Sequence, residues 1–209
     1  NMRSNAHYIF VFSLSKQKNL LSQWRAYTPH GSGINIGFEI DALKRLCAQK
    51  NLDLVECVYS KQDIDDLLKS LLAKILISFQ SDFSNLPDDH VTKTCEYLEF
   101  LNGKAEVILK TFCKIKDSTF SEECEWRLVS KYYQYYTDSD IQFRPGKTAL
   151  IPYIEVNLSS MRHDGYLFET VMVGPSPNFN LAFQSVSAYL SNKHACRETH
   201  SSQSPFREI

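Results

Sequence analysis

From Ser60 to about Ile115 the apolar residues recur every three or four positions, while strand-type alternation dominates on either side of that block. The two spacings belong to helix and to strand. Strands at both ends with helices between them do not read as repeating βαβ units. The expected class is α+β: a mixed, largely antiparallel sheet with helices inserted between N-terminal and C-terminal strands.

The helical block opens at Ser60-x-x-Asp63, which resembles a capping box. Ile64, Leu67, Leu68, Leu71, Leu72, Ile75, Leu76 and Phe79 then form one wide apolar stripe, predicted to pack the helix onto the sheet. A polar loop surrounds Pro87. A second helix is predicted from Asp88 or Asp89, with a break or bend at Gly103.

Tyr8 to Leu14 reads as a strand buried on both faces, with Ser13 emerging at its end. Ile34, Ile36, Phe38 and Ile40 alternate with polar or small residues and are expected to point inward. Asp41 is placed to cap a short helix burying Leu43, Leu46 and Cys47. Further strands are predicted over 54–59, 125–129, 141–144, 148–158 and 167–173, with Pro152 marking an edge or a bulge. A helix over 180–192 should bury Leu181, Val186, Tyr189 and Leu190. Residues 1–6 read as a leader or remnant, and 194–209 as a polar tail on the surface. One domain is expected, with Phe12, Phe38, Trp126 and Val171 in one sheet system.

Composition narrows the function. The 209 residues are 43% hydrophobic and 22% charged, as in an ordinary soluble globular protein. A formal charge of −1 argues against bulk electrostatic binding of nucleic acid. No apolar run is long enough to span a bilayer. The six cysteines are widely and irregularly spaced, so reduced thiols in the cytoplasm are expected rather than a disulfide framework or a zinc site.

Two tryptophan–arginine pairs stand out: Trp24-Arg25-Ala26-Tyr27, and Glu123-Cys124-Glu125-Trp126-Arg127 a hundred residues on. A strand over 123–129 would set Glu123, Glu125 and Arg127 on one face. Two carboxylates beside a guanidinium could hold a ribose, a phosphate or a general base. They equally describe a solvated face with one ion pair of little energetic weight. Arg25 could clamp an anion beside a Tyr27 wall, or simply snorkel from an amphipathic turn. His30-Gly31-Ser32-Gly33 could bend around a phosphate or form a plain turn. Tyr132, Tyr133, Tyr135 and Tyr136 read as a twisted strand pair with one wet face rather than a stacking platform for bases. Neither a Gly-x-Ser-x-Gly elbow nor a glycine-rich phosphate loop is present, which argues against a serine hydrolase and a P-loop enzyme.

Phe-Ser-Leu-Ser at 12–15, Leu-Ser-Gln-Trp-Arg-x-Tyr at 21–27, Gly-x-Gly-Ile-x-Ile-Gly-Phe at 31–38, Phe-x-Glu-Glu-x-Glu-Trp-Arg-Leu at 120–128, Pro152-Tyr153, Val173-Gly174-Pro175 and Ser204-Pro205-Phe206-Arg207 follow in this order. Together they resemble a large bacterial family of domains of unknown function, numbered 2971. The resemblance implies a bacterial, cytoplasmic protein and no particular activity. It also implies an upstream segment, after which this chain begins. Ser13 and the Glu-Cys-Glu of 123–125 are further similar to the serine and Glu-x-Glu elements of arginine-serine-glutamate ADP-ribosyltransferases. There the serine orients the ribose site and the last glutamate stabilises an oxocarbenium-like transition state. The earlier arginine of that class is missing, and the two elements are far apart.

The site expected is therefore Glu125, Glu123 and Ser13 for chemistry, with Arg25, Tyr27, Trp24, Arg127 and Arg144 for binding. Its ligand would be small and anionic or nucleotide-like; the second similarity implies NAD. Neither a membrane nor a metal is called for. An enzyme acting on such a nucleotide-like or other phosphorylated ligand, of toxin or antiviral-effector type, is the first reading; a non-catalytic module that senses a ligand or binds a partner protein is the second; a purely structural role is the third.

Overall fold

The computed structural model describes residues 8–28, 33–82, 90–134 and 138–204. Its elements in order are β1 (Val11–Ser15), α1 (Leu21–Tyr27), β2 (Ile34–Gly37), α2 (Ile40–Lys50), β3 (Asp53–Glu56), α3 (Lys61–Asp82), α4 (His90–Gly103), α5 (Ala105–Phe112), β4 (Glu125–Val129), β5 (Ile141–Pro145), β6 (Leu150–Ile154), β7 (Phe168–Val173), α6 (Phe179–Asn192) and β8 (Cys196–Ser201), with short 3-10 turns at Ser118–Glu123 and Ser159–Met161. The fold is α+β, as the two spacings require. The chain forms two compact units: Asn1–Leu14 with Asp53–Ile154, and Ser15–Leu52 with Glu155–Ile209.

In the first unit β4 is the central strand of a sheet ordered β1-β4-β3. It pairs antiparallel with β3, Glu56 opposite Trp126 and Val55 opposite Arg127. Beyond β4, the Ser130 amide donates to the Phe10 carbonyl (2.9 Å), and Tyr8 and Tyr133 exchange two backbone bonds of 2.8 and 3.0 Å. Tyr133 is buried, its ring meeting Phe10 edge-on at 5.5 Å. Tyr135 and Tyr136 lie outside the described residues. β5 and β6 form a separate antiparallel ribbon in which Phe143 faces Pro152.

The start of α3 is the predicted box: the Ser60 hydroxyl accepts from the Asp63 amide (3.0 Å) and donates to its carboxylate (2.6 Å). α3 packs chiefly on α5, burying Leu71 and leaving Leu72, Leu76 and Ile77 exposed. Its stripe is wider than the surface that covers it. Gly103 ends α4 and Lys104 turns the chain into α5, so the predicted break is present. The predicted start at Asp88 or Asp89 lies outside the described residues.

In the second unit β7 is central to a sheet ordered β2-β7-β8, with β2 antiparallel and β8 parallel to it. Val171, Leu190 and Cys196 form its buried cluster, with Phe168, Val186 and Ala195 packed against them. Trp24 is 7% exposed and lies against Gly174, where an added Cβ would come within 2.8 Å of the ring. Its indole N–H donates to the Asn19 side-chain oxygen at 2.6 Å, which also accepts from the Ser202 hydroxyl at 2.6 Å. α2 is capped by Glu39, whose carboxylate accepts from the Asp41 and Ala42 amides. Those bonds lower the Glu39 pKa. Asp41 is inside the helix rather than its cap.

Several expectations need correction. The strands divide between two three-stranded sheets instead of one system: Phe12 and Trp126 lie in the first, Val171 in the second, and Phe38 follows β2. β1 is an edge strand, and Val11 and Phe12 are exposed rather than buried on both faces. On β2 the isoleucines are exposed and Asn35 and Gly37 are the more covered, with Gly37 pressed against Thr170. Alternation groups residues by face without saying which face is covered. On α6, Leu190 is buried and Leu181 and Tyr189 are not. The polar tail supplies β8.

Gly174→Ala should lower the stability of the protein by about 1–3 kcal/mol, because the new methyl must displace the Trp24 ring or the Gly33 carbonyl. Urea unfolding followed by tryptophan fluorescence checks this. An unchanged midpoint would mean that the Trp24–Gly174 contact is looser than described.

Candidate functional site

Glu125 opens the central strand β4, and Arg127, Lys116 and Ser13 all close on its side chain. Only 4% of that side chain is exposed. A lone carboxylate buried so deeply would be strongly disfavoured, and it survives as an ion only with partners. Arg127, two residues on, shares its face as strand geometry requires. Its Nε lies 2.8 Å from Glu125 Oε1 and its Nη2 lies 3.4 Å from Oε2. The rest of the guanidinium is anchored, Nη1 donating to the Cys113 carbonyl at 2.8 Å and to the Ile115 carbonyl at 3.4 Å.

The second cation is Lys116. Beyond β3, Val58 clamps the segment after α5: its amide donates to the Lys114 carbonyl (2.7 Å) and its carbonyl accepts from the Lys116 amide (3.1 Å). That places the Lys116 ammonium 2.5 Å from Glu125 Oε2 and against a Glu123 carboxylate oxygen. It also stands 5.0 Å from the centre of the Phe120 ring. Glu123 reaches the cluster by a different route from the one predicted. The strand begins only at Glu125; Glu123 ends the 3-10 turn, and Cys124 reverses the chain in the left-handed region at φ 43°. A cysteine held there costs about 1–2 kcal/mol.

Ser13 completes the group. Its residue is exposed on the edge strand β1, and its hydroxyl donates to Glu125 Oε1 at 2.5 Å. The Glu125 amide donates to the Tyr59 hydroxyl at 2.7 Å, fixing the backbone at the strand's first residue. Burial alone would push the Glu125 carboxyl up. The bonds from Arg127, Lys116 and Ser13 outweigh it and bring the pKa from 4.5 down to about 2. Burial opposes the charge on Lys116 too, but its bonds to Glu123 and Glu125 lift it to about 12. Around this cluster, burial pushes the Cys57 and Cys113 thiols up, against the pull of the nearby Arg127 charge.

The structure therefore brings together Ser13, Glu123, Glu125 and Arg127, and adds Lys116 and Tyr59, which the sequence reading missed. Lys116 lies seven residues before Glu123, on the far side of a 3-10 turn and outside any α-helix or strand, so neither periodicity applies to the pair. The one available signal was charge: two carboxylates and one arginine leave a buried cluster short by one cation. Trp24, Arg25 and Tyr27 belong to α1 of the second unit, where Trp24 is a core residue and Arg25 and Tyr27 are exposed. Arg144 is exposed on β5. His30, Gly31 and Ser32 lie outside the described residues. All six cysteines are free thiols, and among the described residues no group of three or more His, Cys, Asp or Glu is placed to hold a metal. No helix among them is long and apolar enough to cross a membrane.

A family model described as protein of unknown function (DUF2971) matches residues 23–128, just over half of the chain. The chain belongs to this family. The matched span of DUF2971 runs from α1 to β4 and so contains Glu123, Glu125, Arg127, Lys116 and Tyr59, while Ser13 precedes it. No curated protein and no solved structure matches the chain.

The depressed Glu125 pKa makes a prediction about acid stability. A carboxyl with a lowered folded pKa contributes stability above its unfolded value, here 4.5, and that contribution disappears as the pH falls toward about 2. Wild-type protein should lose a few kcal/mol over that window. Glu125→Gln should be less stable at neutral pH, and its acid slope should be shallower. Denaturant titrations at a series of pH values give the comparison; parallel slopes would place the carboxylate in a more solvated setting.

Proposed function

We propose that the first unit is the catalytic part of an enzyme acting on a nucleotide-like ligand, with Glu125 as its permanently ionised carboxylate and Ser13 as the hydroxyl that orients it. The observation that carries this reading is the bond from an exposed serine to a buried carboxylate with a pKa of about 2. A carboxylate that acidic is a poor general base at neutral pH. It is suited to remain charged and to stabilise positive charge as it develops, which is what cleavage of a glycosidic bond through an oxocarbenium-like state demands.

The similarity to arginine-serine-glutamate ADP-ribosyltransferases points the same way, with NAD as the donor. In that reaction the bond between the ribose C1′ and the nicotinamide nitrogen breaks, and nicotinamide leaves with the bonding pair. Water or an acceptor group then bonds to C1′ and gives up a proton. Arg144, on β5 of the same unit, is the exposed arginine offered for an anionic ligand. In a bacterial cytoplasm such an activity would suit a toxin or antiviral effector.

A second reading, a non-catalytic module that senses a ligand or binds a partner, has its own support. Both oxygens of Glu125 already accept hydrogen bonds from within the unit. Nicotinamide release from NAD by wild type, Ser13→Ala and Glu125→Gln separates the two. The catalytic reading expects Glu125→Gln to bind NAD while turning it over at least about a hundredfold more slowly. Full turnover by that variant removes Glu125 from the chemistry. Ligand binding by wild type without turnover selects the sensing module.

A further inference from the structure

Glu125 can meet a ligand only if one of its oxygens is presented steadily toward the exposed edge strand. Oε1 is the oxygen on that side, because it is the one bonded to Ser13. What holds the carboxylate plane is decided at Oε2. There Arg127 reaches only to 3.4 Å, while Lys116 stands at 2.5 Å. Arg127 cannot move closer without giving up the Cys113 and Ile115 carbonyls that fix its other nitrogen. Lys116 is held from three directions: by its own amide on Val58, by Glu123, and by the Phe120 ring below the ammonium. A lysine side chain normally keeps much rotamer freedom, and here it has given that up.

We infer that Lys116 is a positioning residue for the site proposed above: it locks Oε2 of Glu125, and thereby aims Oε1 at the ligand side. The inference rests on the catalytic reading for its purpose but not for its test. Its chemistry is simple. Without the ammonium, the two glutamates face one guanidinium, the carboxylate turns on its Cβ–Cγ and Cγ–Cδ bonds, and the Ser13 bond is no longer enforced. The titratable and charged groups facing Glu125 are Arg127 on its own strand, Lys116 and Glu123 from the segment before it, and Tyr59 and Cys57 beyond β3. Only Lys116 and Arg127 among these carry positive charge.

The experiment compares wild type with Lys116→Met and Lys116→Arg, in full-length protein carrying 13C-labelled glutamate. The Glu125 resonance, assigned by its loss in Glu125→Gln, is titrated without any ligand. Lys116→Met should raise the midpoint by about one pH unit or more, the effect of removing an adjacent opposite charge, and Lys116→Arg should restore most of it. Nicotinamide release then adds a second readout. Lys116→Met should lower kcat and move the acid limb of the pH profile upward, with KM little changed. An unshifted midpoint in a folded Lys116→Met protein overturns the inference. So does failure of Lys116→Arg to restore the midpoint. Should Lys116→Met fail to fold, the wild-type ammonium decides: its 1H–15N signal should persist at neutral pH and shift in Glu125→Gln, and no such signal, or one indifferent to that substitution, defeats the proposal. A shifted midpoint in a protein that never turns over NAD upholds Lys116 and defeats the enzyme reading alone.

Discussion

One buried carboxylate organises the first unit. Glu125 sits at the start of the central strand with its side chain almost wholly buried, which would be prohibitive for an isolated charge. The surrounding chain supplies the compensation. Arg127 comes from the same strand face, Lys116 from a segment clamped by Val58, and Ser13 from the edge strand. The central strand thus supplies one of the two neutralising cations and a segment outside the sheet supplies the other. Removing Lys116 or Arg127 leaves two glutamates facing one cation, so packing and electrostatics in this unit are not separable.

That dependence also shapes the chemistry. Two glutamates, one lysine and one arginine balance in charge, which lets the group stay ionised with little water around it. The lowered Glu125 pKa follows from hydrogen bonds overcoming burial rather than from exposure to solvent. A site built this way suits charge stabilisation more than proton abstraction. The exposed salt bridges elsewhere, such as Lys44 with Asp41, have no comparable consequence because water screens them.

The second unit is held by a different kind of node. Asn19 offers one oxygen to Trp24 and to Ser202, so α1 and the end of β8 share an acceptor. The Trp24 ring then covers Gly174, next to the central strand β7. Trp24 beside Arg25 looked in the sequence like half of a binding pair; in the fold the tryptophan is structural and the arginine is exposed beside it.

Local rules carried far along this chain. The period-two and period-three-to-four patterns determined the fold class, the cap at Ser60 and Asp63, the break at Gly103 and the pairing of Glu125 with Arg127, since each depends on residues within one turn or one strand. Tertiary structure alone decided which face of β2 and α6 is covered, that residues 196–201 form a parallel strand, and that Lys116, Tyr59 and Ser13 converge on Glu125. Periodicity sorts side chains by direction within a segment. Whether a direction meets water, a neighbouring strand or a distant charge depends on segments far away in the chain, and no spacing records them.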